Sequence, residues 1–184
     1  MSDLTITTAG VSESKVSGGE FLSANKKLNQ MKIDLIKSTP DIAEATYATG
    51  TLMFEQGKVN NAVAVKGGNC ILQSVTAIDT SDTGGAIYLI ITDSSQDLGT
   101  VGSAVAAADA AADNSMAIVE LNNWIDVGGA KVCSKANIGL VCNSVSATEA
   151  QNKNLYYGIV NVSGGNIVIG SGEDIIFQFG VVQD

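Results

Sequence analysis

The chain has 184 residues and no histidine, so the side chain that most often serves as general base near neutral pH is missing. Neither a Ser-His-Asp nor a Cys-His arrangement can be assembled from it. Its three cysteines, Cys70, Cys133 and Cys142, stand far apart. Their odd number and spacing fit neither a dense disulfide framework nor a C-x-x-C metal pair. Reduced thiols acting as small core hydrophobes are the expectation. Glu120 and Asp126, on either side of Trp124, are the one aromatic-flanked pair of acids suited to glycosidase-like chemistry; acids beside strands are more often a solvated face. The loops DTSDTGG, with Asp79 and Asp82, and DSSQD, with Asp93 and Asp97, offer oxygen ligands for calcium. Neither follows the order of an EF-hand, and ordinary Asp-rich turns are the simpler reading. Phosphate-binding glycine loops of the G-x-x-x-x-G-K-S/T or G-x-G-x-x-G kind are absent. GGNIVIGSG (164–172) lies between apolar runs and reads as turns. The expectation is no catalytic residue, no metal and no cofactor.

The elements that would have to position such groups are short. From about residue 46, apolar runs alternate with Gly, Asn, Asp and Ser. The spacing predicts strands at 46–54, 69–78, 86–92, 117–121, 131–134, 138–142, 155–162, 166–170 and 174–182. In the last of these, Ile175, Phe177 and Phe179 fall on one face and Ile176, Gln178 and Gly180 on the other. Many short strands at close spacing indicate an all-β domain, a β-sandwich or a jelly-roll-like barrel, over 46–184. SAVAAADAAADN (103–114) is dominated by alanine and predicts a short surface helix or helical turn between strands.

Residues 1–45 read as an N-terminal arm, extended and partly helical. Its one strongly patterned piece is KKLNQMKIDLIK (26–37). Leu28, Met31, Leu35 and Ile36 fit one face of a helix, while Met31, Ile33 and Leu35 fit strand alternation equally well. Lys26, Lys27, Lys32 and Lys37 cluster among them. The segment either packs on its own domain or docks on a neighbouring subunit, and Pro40 ends it.

Charge separates the two parts. Residues 1–66 hold seven Lys and seven acids, and residues 67–184 hold three Lys and twelve acids, which accounts for the net charge of −9. With no Arg to fork onto phosphate or guanine and an acidic body, direct nucleic-acid binding is not expected. No apolar run reaches the length of a membrane span, and the N-terminus lacks the pattern of a signal peptide. A cytoplasmic origin, or export inside a larger assembly, is the expectation.

A pattern of strands and turns runs through GGNCILQSVTAIDTSDTGGAIYLIITDSS, then LGTVGSAVAAADAAADNSMAIVEL and WIDVGGAKVCSKANIGLVCNS, to LYYGIVN and DIIFQFGVVQD. From about residue 68 to the C-terminus, this order resembles a family of small β-rich structural proteins encoded by tailed bacteriophages. The resemblance covers about two-thirds of the chain, leaves residues 1–45 outside, and brings no catalytic residue with it. It implies a virion component, made in the host cytoplasm and acting as a capsid decoration or cement protein. The implied partners are the major capsid protein and copies of the chain itself, in a trimer or small ring. Three features favour such a ring: strands with few charges, apolar residues on both faces of LYYGIVNV, and an arm long enough to reach a neighbour. The competing readings are a tail, baseplate or fibre component, a carbohydrate-binding module stacking sugars on Trp124, Tyr156 and Tyr157, and a carboxylate-pair hydrolase.

Overall fold

The computed structural model describes residues 4–6, 14–16, 32–65, 67–106, 115–143 and 153–183. The chain divides into two compact units, Met1–Lys32 and Ile33–Asp184. In the first, β1 (Leu4–Ile6) and β2 (Ser14–Val16) pair antiparallel, with Leu4 opposite Val16.

The second unit is built on two larger sheets. One joins β3 (Lys32–Ser38), β14 (Ile175–Gln183), β6 (Asn69–Asp79), β10 (Lys131–Lys135) and β9 (Ile125–Asp126) in that order, with β11 (Leu140–Asn143) also paired to β6. The other runs β5 (Leu52–Val59), β12 (Leu155–Asn161), β7 (Ile87–Thr92) and β8 (Ser115–Leu121). A small pair, β4 (Ala45–Tyr47) with β13 (Ile167–Ile169), completes it. Every register given for these pairs is antiparallel, and no described residue is helical.

The inward faces of both sheets meet in one core. Leu72, Val75 and Ala77 of β6 and Phe177, Phe179 and Val181 of β14 lie in it with Leu89 and Ile91 of β7 and Tyr157 and Ile159 of β12. The Tyr157 ring stands 5.5 Å from that of Phe177 and 5.2 Å from that of Phe179, which ties sheet to sheet. This is the expected β-sandwich. Inward alternation in β14 falls on Ile175, Phe177 and Phe179 as the sequence pattern predicts.

The outer side of the four-stranded sheet is covered over β12, while Ile118 of β8, opposite Ile90 on that side, is 62% exposed. Leu98 packs with Leu52 and Val160 in a second apolar cluster, flanked by Tyr88, Ile90, Val105 and Val162. Gly158 of β12 makes room for this cover, because a Cβ there would strike the Leu98 side chain. β12 is therefore buried at all seven positions by its own chain. The two-sided apolar pattern of LYYGIVNV needs no second copy to explain it.

Several elements differ from the sequence reading. The expected strand 46–54 is two strands, broken where Gly50 takes φ +83° and Thr51 N–H donates to Ala48 O. Residues 103–106 of the expected helix are not helical. Ser103 O accepts from Leu52 N–H, Gly102 N–H donates to Leu52 O, and Ala104 bridges Thr51. Pairing with β5 outweighs alanine propensity there; 107–114 lie outside the described residues. The chain divides at Lys32/Ile33, and part of the segment read as arm is built into the second unit. Ile36 packs on the core, Ile42 is wholly buried, and Ile42 N–H donates to Gly172 O.

Candidate functional site

The residues singled out for assembly divide in two. Lys26, Lys27, Leu28 and Met31 lie outside the described residues. Lys32, Ile33, Leu35 and Lys37 belong to β3, so this stretch follows strand alternation and not a helix. Asp34, Ile36 and Ser38 are half-buried, with Ile36 on the core. Ile33 and Leu35 are 77% and 68% exposed, and Lys37 is exposed beside them. β3 stands at one end of its sheet. Its far end is held by Ser38, whose Oγ lies 2.8 Å from Tyr157 Oη and donates to Lys58 O.

The outward face of the six-stranded sheet continues this apolar surface. Directly opposite residues in a ladder share a face, so the registers can be followed across the sheet. Ile176 of β14 faces Ile78 of β6, which faces Val132 of β10, which faces Ile125 of β9. Nearer the other end, Val182 of β14 faces Ile71 of β6, which faces Val141 of β11. Between these rows run Gln178, Thr76 and Ser134, the last two hydrogen-bonded at 2.9 Å. The inner members are half-buried, while Ile125 and Val141 are 63% and 68% exposed. No carboxylate belongs to these rows, although the chain carries nineteen acids. A water-facing antiparallel sheet normally alternates to polar residues outside. This one keeps apolar rows at both ends of its outer face, a pattern of surfaces that pack on something.

Beside β3 lies a polar cleft of about 270 Å³, lined by Lys37, Ser38, Asp41, Gln56, Lys58 and Tyr157 among others. Burial pushes the Tyr157 phenol up to about 12, against a smaller opposing effect of its bond to Ser38. The hydroxyl is therefore neutral at physiological pH and acts as a fixed hydrogen-bonding group.

The residues considered for chemistry are absorbed by the fold. Asp79 is buried, and its carboxylate accepts from Ser81 N–H and Oγ, Thr83 Oγ1 and Gly84 N–H, so its loop's own donors surround it. Asp82 is exposed with φ +59°. Asp93 accepts from Ser94 Oγ, and Asp97 from Gly99 N–H. These are turn-closing carboxylates. Among the described residues, no three His, Cys, Asp or Glu side chains gather where a metal ion could be held. Glu120 sits on β8 and Asp126 on β9, in different sheets, and Asp126 is engaged by Gly128 N–H. The sugar platform of the competing reading does not form: Tyr156 and Tyr157 are buried, and Trp124 packs against the core with its indole N–H unpaired. All three cysteines are buried, and none is in a disulfide.

Sequence reasoning missed the apolar rows. Their signal was present as apolar residues in both phases of one strand: Ile71 and Ile78 outward with Leu72 and Ala77 inward, and likewise Ile176 and Val182 with Phe177 and Val181. No helix among the described residues is long and apolar enough to cross a membrane.

No protein-family model matches the chain, and no curated protein matches it. Among solved structures, it aligns with a chain from a full particle of Israeli acute paralysis virus heated to 63 degrees, at 12% identity and a TM-score of 0.28. That alignment covers 96% of this chain and 80% of the other. A likeness this slight assigns neither a fold nor a role.

Proposed function

We propose that this chain is a structural subunit of a virus particle, a decoration (cement) protein on the head of a tailed bacteriophage. It has no catalytic role in this reading. The observation that carries the proposal is the outward face of the six-stranded sheet, with its two apolar rows and no acid within them. The opposite sheet is covered over β12 by the chain's own segment around Leu98, and the two rows of the six-stranded sheet are the face offered to a partner. That partner is the major capsid protein. The sandwich lies against the shell, bridges adjacent capsid subunits and resists their separation. Each Å² of apolar surface covered contributes about 25 cal/mol, offset in large part by ordering costs. Repetition over a symmetric shell multiplies modest contacts. The sequence order from residue 68 onward, which resembles phage structural proteins, supports the same reading.

Copies of the chain also meet one another, as a trimer or small ring around the local symmetry axes of the shell. The place of β3 at the end of its sheet among the described strands, with exposed Ile33 and Leu35, supports this. The apolar β12 no longer does, since its own chain buries it. Quantitative mass spectrometry of purified particles tests the role. A decoration protein is present at hundreds of copies per particle. A handful of copies would move the chain to the tail, and none would overturn the proposal.

A further inference from the structure

Cys70 and Cys142 are directly opposite each other on neighbouring antiparallel strands, β6 and β11. Opposite residues in such a ladder have Cα atoms about 4.5–5.5 Å apart, inside the range of about 4.4–6.8 Å that a disulfide spans. Their side chains share a face, and both are buried in the main core. The sequence hides this pair, because 71 residues separate the two cysteines and a third lies between them. We propose that Cys70 and Cys142 are a thiol pair that closes to a cross-strand disulfide when the chain meets a small-molecule disulfide.

Cys142 is the attacking thiol. It lies next to Asn143, the last residue of a four-residue strand whose one partner among the described strands is β6. Short edge strands open locally at low cost, which exposes Cys142 without unfolding the sandwich. A hydrogen bond from the Cys70 thiol holds Cys142 below the ordinary thiol range, against the opposing effect of burial. Its thiolate attacks one sulfur of the small disulfide, that S–S bond breaks, and one small thiolate leaves. Cys70 then loses its proton and attacks Cys142 Sγ in the mixed disulfide, expelling the second small thiolate. The two protons from the protein thiols pass to the two leaving thiolates, and two electrons pass from protein sulfur to the small disulfide. Cys133 stays out. It faces Ala77 on β6, and burial pushes its thiol up. The bond would staple β11 to β6 beside the Val182–Ile71–Val141 row.

The test uses the full chain, purified in reductant and moved into oxidised glutathione. Free thiols should fall from three to one, and those of Cys133→Ser from two to none. Cleavage after lysine places Cys70 in peptide 67–131, Cys133 in 132–135 and Cys142 in 136–153. Without reductant, the first and third peptides should run joined. The proposal is overturned if the folded chain keeps three thiols where the urea-unfolded chain loses them, or if the joined peptides include 132–135.

Discussion

At the scale of single residues, the sandwich depends on a few buried polar groups that the apolar pattern does not announce. Asn161 is fully buried at the end of β12. Its Nδ2 donates to Tyr47 O and Gly165 O, and its Oδ1 accepts from Ser163 N–H and Oγ. One side chain thus joins β12, β4 and the turn before β13. Replacing it with alanine removes all four of these bonds from a buried site and should cost about 2–4 kcal/mol, read as a lower urea midpoint with unchanged slope. Tyr157 gives a pH signature. Its folded pKa of about 12 exceeds the value of 10.0 for a free phenol. Its neutral form is thus favoured by folding: that contribution is intact below pH 10 and is lost as pH rises through 12. The loss should approach roughly 3 kcal/mol, at about 1.4 kcal/mol per pH unit. Tyr157→Phe should remove this alkaline slope in denaturation curves between those pH values, while giving up about 1 kcal/mol at neutral pH for the bond to Ser38. Neither role was legible in the sequence. An Asn beside a Gly-rich turn and a Tyr within an apolar run have many uses, and long-range pairing decides among them.

At the scale of elements, legibility followed period and length. The strands at 69–78, 86–92 and 174–182 were readable because alternation and β-branched residues agree there with the turns that bound them. The stretch 26–37 was ambiguous because its apolar residues satisfy both periods; β3 resolves 32–37 as strand through pairing with β14. Propensity failed at 103–106, where β5 takes the backbone groups that a helix would use. The segment that includes them covers β12, and its fit is tight at Gly158. Gly158→Ala should push against Leu98 and cost about 1–3 kcal/mol, measurable as a drop in Tm. The outer face makes the opposite prediction. Val141→Asp and Ile125→Asp alter exposed side chains, so each should shift stability by no more than about 0.5 kcal/mol. Both should lower incorporation into particles at least tenfold in a competition with the unaltered chain. A large loss of stability with normal incorporation would show that these positions serve the fold and not a contact.

At the scale of the whole molecule, asymmetry between the two sheets is the feature that bears on function. One sheet has its inner strand β12 covered by its own chain, and the other presents apolar rows without acids on a molecule of net charge −9. Net negative charge keeps free copies apart in solution, while an acid-free face leaves one direction in which close packing carries no like-charge cost. The proposed class of role draws in part on the sequence, where the missing histidine removes the commonest general base and the short strands set the fold. The contact face was not legible there, because it depends on which strands lie side by side, which no local pattern specifies. The most direct test is a cryo-electron microscopy map of the particle at a resolution that traces this chain. The account predicts the sandwich on the head, in the symmetry of the shell, with Ile71, Val132, Val141 and Ile176 covered by capsid subunits. A chain absent from the particle, or seated with those residues facing solvent, would contradict it.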